Sequence, residues 1–72
     1  MQILKGGENM LSKLKKARLE AGITQKELAS SACITAQYLG KLESGKASNP
    51  SRMVMEALAN VLDTTVVELF YN

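Results

Sequence analysis

Along the chain, apolar positions recur at helical spacing, and capping residues and glycines divide them into five segments. In the first, Leu11, Leu14 and Arg18 fall at i, i+3 and i+7, with Met10 and Ala17 on the same side. This predicts a helix capped by Asn9, running to about Ala21 and ended by Gly22. Thr24 and Glu27 then form a Thr-x-x-Glu capping box, opening a helix over residues 25–32 with Leu28, Ala29 and Ala32 on one face. Thr35 is the natural N-cap of a third helix over residues 36–43, where Leu39 and Leu42 turn inwards. Ile34 plugs the turn between these two helices, and the small Ala29 lets them cross closely. Glu43-Ser44-Gly45 closes the third helix.

A polar loop, residues 46–51, leads to a fourth helix over about residues 51–62. It is capped by Asn49 or Ser51, with Pro50 in its first turn and Val54, Leu58, Val61 and Leu62 buried. Thr65 and Glu68 make a second capping box for a short last helix with Val66, Leu69 and Phe70. No strand is needed. Residues 1–8 hold Gly6-Gly7 and no helical period, so they read as a flexible arm before one domain over 9–72. Ile3 and Leu4 in that arm can pack on the body or on a second copy, although a frayed terminus is the simpler account. The expectation is an all-α, compact five-helix bundle with a helix-turn-helix at helices 2 and 3.

Composition narrows the function. Seventy-two residues give a single domain with a limited core, and Tyr38, Phe70 and Tyr71 are its only aromatic residues, so aliphatic side chains and Met must fill it. Cys33 is alone and His is absent, which leaves no disulfide framework and no zinc site. No Gly-rich phosphate loop or separate acid pair is present, so no enzyme, metal or cofactor is expected. No apolar run reaches membrane-span length and the N-terminus does not read as a signal peptide, so the expected location is cytoplasmic. The net charge of +2 says little about nucleic acid by itself. Its placement says more, because Lys13, Lys15, Lys16 and Arg18 cluster in the first helix, although such a group is usually a solvated face.

Residues 14–70 resemble the Cro/phage-repressor (XRE) type of helix-turn-helix domain. The matching features run from Leu14, Arg18 and Gly22-Ile23-Thr24-Gln25 through Glu27-Leu28-Ala29, Ile34-Thr35, Leu39 and Leu42-Glu43. They continue with Gly45-Lys46, Pro50-Ser51, Ala59, Leu62 and Glu68-Leu69-Phe70. The flanking helices match too, which makes the signal more specific than a bare helix-turn-helix pattern. The resemblance implies a lambda-repressor-like bundle and a sequence-specific regulator of double-stranded DNA, a repressor acting as a homodimer on a two-fold operator. Antitoxins and restriction–modification controllers share the fold and would add a toxin or other protein partner. A protein-interaction module without DNA contact is the alternative from another class.

Specific roles follow from the resemblance. Arg18 and Glu43 stand where such domains pair an arginine with a glutamate, which would resolve the charge on an apolar stripe. Gln25, after Thr24, stands where a glutamine bonds a backbone phosphate, aided by the helix N-terminus. Helix 3 would lie in the major groove and present Thr35, Ala36, Gln37, Gly40 and Lys41. Gln37 can bond adenine, Lys41 can reach guanine or a phosphate, and Ala36 can meet a thymine methyl. Tyr38 has two readings of equal weight, stacking along the sugar-phosphate backbone or half-burying its ring against helix four. Ser44, Lys46, Ser48 and Asn49 would meet phosphates, through main-chain N–H groups as well as side chains. Apart from the resemblance, Val66, Val67, Leu69, Phe70 and Tyr71 offer apolar surface for a dimer, although Phe70 and Leu69 can close the core instead, Leu69 the more readily of the two. Three positions depart from the pattern: Cys33 and Asp63 replace usual glycines, and Gly40 lies inside the recognition helix at a cost of roughly 0.5–1 kcal/mol relative to Ala.

Overall fold

The computed structural model describes residues 6–47 and 49–71, with side chains from residue 13. Five helices follow in order: α1 (Gly6–Glu20), α2 (Gln25–Ser31), α3 (Ala36–Ser44), α4 (Arg52–Val61) and α5 (Val66–Phe70). Among the described residues there is no strand.

Most of the predicted stops and starts after α1 begins have a visible cause. Gly22 and Gly45 adopt positive φ, 75° and 81°, at the ends of α1 and α3, a region that costs glycine nothing. Thr24 and Glu27 form both halves of their capping box: the Glu27 N–H donates to Thr24 Oγ1 at 3.0 Å and the Thr24 N–H to Glu27 Oε1 at 2.8 Å. Thr35, Ser51 and Thr65 cap α3, α4 and α5 through their hydroxyls.

The structure differs from the sequence pattern in four places. α1 begins at Gly6, so residues 6–8 of the expected arm are helical and Asn9 lies within the helix instead of capping it. Glycines are least costly at such an end, where the first N–H groups have no intrahelical partner anyway. The packing expected of Ile3, Leu4, Met10 and Leu11 lies outside what is described. Pro50 precedes the Ser51 cap and stands outside α4. Val61, expected in the core, is 36% exposed, because at the last turn of α4 the buried face is carried by Leu58 and Ala59.

The core joins Leu14, Leu28, Ala29, Ala32, Leu39, Leu42, Leu58, Ala59 and Leu69. α1 packs on α3 and α5, α2 packs on α3 and α4, and α4 packs on α5. α3 is therefore gripped from both sides, with Leu39 fully buried and Leu42 and Glu43 nearly so. That grip sets the orientation of everything on its outer face. None of the described helices is long and apolar enough to cross a membrane.

Candidate nucleic-acid interface

The helix-turn-helix is built from α2, a four-residue turn and α3. The turn is tight because Cys33 takes φ 62° and the Ile34 N–H closes back on the Ala29 carbonyl at 2.9 Å. Ile34 then packs against the core, as its place in the turn demands. On α3, residues 39, 42 and 43 point inwards, and at 100° per residue Gln37, Lys41 and Ser44 occupy the opposite side. All three are exposed, as are Thr35 and Ala36. The outcome is a polar stripe on a helix that cannot rotate away from it.

Beneath the stripe lies a buried ion pair. Arg18 Nε donates to Glu43 Oε2 at 2.7 Å and Nη2 to Oε1 at 3.3 Å, a two-pronged contact between side chains 8% and 3% exposed. The third arm of the guanidinium donates to the Ile23 carbonyl at 3.1 Å. Arg18 thus ties α1, the α1–α2 turn and α3 together. The charge on the apolar stripe is matched on all sides, as burial of a charge requires.

Gln25 is drawn into the same cluster. Its Nε2 donates to Glu43 Oε1 at 2.8 Å, a bond the sequence pattern does not reveal. Residues 25 and 43 are separated by 18 positions, and only the crossing of α2 over α3 brings them together. A Cβ at Gly40 would lie 3.8 Å from both polar atoms of the Gln25 side chain, an ordinary contact distance. Helix crossing therefore does not demand glycine at position 40.

Tyr38 is half-buried and packs against the core. The loop after α3 also modifies an expectation. The N–H groups of Gly45, Lys46 and Ala47 bond back to Leu42 and Lys41 carbonyls at 3.4, 2.9 and 3.0 Å. They cap α3 and are spent there, so of these three positions Lys46 alone has a group, its side-chain ammonium, to offer a phosphate. Ser44, Lys46 and Asn49 are exposed, and Asn49 holds φ 54°, a left-handed turn that asparagine tolerates well. Ser48 lies outside the described residues.

A helix-turn-helix family model matches residues 14–69, the span from Leu14 in α1 to Leu69 in α5. The chain belongs to the Cro/phage-repressor (XRE) type of helix-turn-helix family. This is a family of DNA-binding transcription regulators. Among solved structures, the chain resembles the master regulator for biofilm formation SinR, solved in complex with DNA. The two share 33% sequence identity and superpose with a TM-score of 0.78, over 83% of this chain and 95% of that one. Among curated proteins, none matches the chain.

Within this family's layout, the residues singled out from the sequence divide into two groups. Thr35, Ala36, Gln37, Lys41 and Ser44 are exposed on α3 or its cap, with Lys46 and Asn49 exposed in the loop beyond. Thr24 is exposed with its hydroxyl used in the capping box, and the half-buried Gln25 has one amide N–H on Glu43. At the C-terminus, Val66 and Phe70 pack against the core, while Val67 and Tyr71 stay 59% and 55% exposed. The Tyr71 hydroxyl lies 3.9 Å from Met55 Sδ on α4.

Proposed function

We propose that the chain is a sequence-specific transcriptional repressor that reads the major groove of double-stranded DNA with α3 and binds as a homodimer. The observation that carries this reading is the exposed row of Gln37, Lys41 and Ser44 on a helix whose other face is locked into the core. A helix with a free polar face and a fixed axis can be set into a groove about 12 Å wide without repacking. Gln37 reads adenine through its two-ended amide, and Lys41 reads guanine acceptors or a phosphate. Lys46 and Asn49 fix the register along the sugar-phosphate backbone and carry affinity without sequence information. SinR, solved with DNA, supports the same use of the fold. Val67 and Tyr71, large and exposed beside each other on α5 and its cap, are the surface we assign to the second copy.

The test is selection of bound duplexes from a random DNA pool by the purified protein at moderate salt. The expected product is an inverted repeat with half-site centres about 10 base pairs apart. Binding that is weak, strongly salt-dependent and without sequence enrichment would reduce the reading to general electrostatic attraction.

A further inference from the structure

We propose that Glu43 is a positioning residue for DNA binding, acting through Gln25. This rests on the DNA-binding reading above and assigns a second task to a carboxylate whose first task is to pair with Arg18. The buried carboxylate has only acceptors, so its bond to Gln25 must come from the amide nitrogen. That settles which way the amide faces. One N–H of Nε2 is held by Glu43 Oε1, and the second N–H has no other hydrogen bond among the described residues. A phosphate oxygen accepts and never donates, so this remaining N–H is the group a DNA backbone can use. Turned the other way, the amide would present its carbonyl oxygen and repel the phosphate.

The holder is itself held. Arg18 grips both oxygens of Glu43 at 2.7 and 3.3 Å, so the carboxylate cannot swing away from Gln25. Gly40, one turn before Glu43 on α3, carries no side chain over the Gln25 amide. A glutamine on a free surface gives up rotamer freedom when it binds. Gln25 gives it up on folding, and the same side chain therefore contributes more to affinity. The chain of contacts from Arg18 through Glu43 to Gln25 links α1 to the DNA backbone beside α3.

The test is a double-mutant cycle on affinity for the selected duplex. Arg18→Met with Glu43→Met removes the acceptor while replacing the buried pair with apolar side chains of similar volume, and circular dichroism with thermal melting checks the fold. In the wild-type background Gln25→Ala is expected to weaken binding about ten- to a hundredfold, the worth of one hydrogen bond to a charged group. In the Met/Met background the same change is expected to alter affinity less than twofold. Equal losses in both backgrounds, or no loss in the wild type, would overturn the proposal. Should the Met/Met variant not fold, the wild type decides by NMR. One Gln25 side-chain amide proton should be protected from exchange in the free protein. The other should shift on adding duplex, and not on adding duplex with a neutral methylphosphonate at the facing position. Equal exchange of both protons sinks the idea. A protein that still selects a sequence but fails these tests loses only the role of Glu43; one that selects nothing loses the DNA-binding reading.

Discussion

Arg18 and Glu43 show at the scale of single residues how burial sets the cost of a charge. Removing one partner strands the other in a site less than a tenth exposed, and Arg18→Met or Glu43→Leu alone is expected to cost about 3–5 kcal/mol in urea unfolding. The joint replacement by apolar residues should recover most of that loss, since no uncompensated charge remains. Cys33 carries strain of a different kind. Its φ of 62° puts Cβ against the following carbonyl, which costs roughly 1–2 kcal/mol for an L-residue. Cys33→Gly relieves this but gives the unfolded chain more freedom, so we expect a net gain of up to about 1 kcal/mol in the same measurement. Asn49 and Asp63, at φ 54° and 57°, bear the same conformation with short polar side chains that tolerate it better.

At the scale of the element, α3 is nine residues long and carries a glycine in its middle. Gly40→Ala places a Cβ at 3.8 Å from Gln25, which the helix pair accommodates, and should stabilise the domain by about 0.5–1 kcal/mol in thermal unfolding. Thr35 has a structural duty at the N-terminus of the same helix, its Oγ1 accepting the Tyr38 N–H at 3.0 Å. Thr35→Ala is expected to lose about 1 kcal/mol of stability, and any loss of DNA affinity has to be read after that is subtracted. Lys41 is exposed and its ammonium has no hydrogen bond or ion pair among the described residues, so Lys41→Gln should leave the melting temperature unchanged. If its ammonium meets a phosphate, the slope of log affinity against log salt falls by about 0.9 per site.

For the whole molecule, the exposed apolar residues at the C-terminal end matter most. Val67 is 59% exposed and Tyr71 55%, next to Met55 and the exposed Arg52–Glu56 pair at 3.2 Å. Val67→Asp would keep the monomer fold, because Leu69 and Phe70 do the packing inside, and would abolish association by burying a charge between copies. Sedimentation should then report a monomer, and affinity for a two-half-site duplex should fall towards that for one half-site. Wild-type protein that sediments as a monomer on and off DNA would remove the homodimer from the reading.

The sequence by itself determined the number and order of helices, because caps and stops are local: Thr24, Thr35 and Thr65 and the glycines at 22 and 45 act within a few residues of themselves. It also marked Arg18 and Glu43 as partners through the family pattern, and Gln37 and Lys41 as outward through the inward placing of Leu39 and Leu42, while Ser44, read as part of the loop, joined them on α3. What only tertiary structure decided lies where distant segments compete for one space or one atom. The Gln25 amide could have faced water, and the crossing of α2 over α3 turned it onto Glu43. The loop N–H groups of Gly45, Lys46 and Ala47 could have met a phosphate, and the end of α3 took them first. Val61 matched the apolar period of α4 yet stayed exposed, because periodicity tells which face is apolar and not how far along the helix its neighbours reach. Hydrogen-bond partners and burial depth are properties of the packed chain, and residues remote in sequence set them.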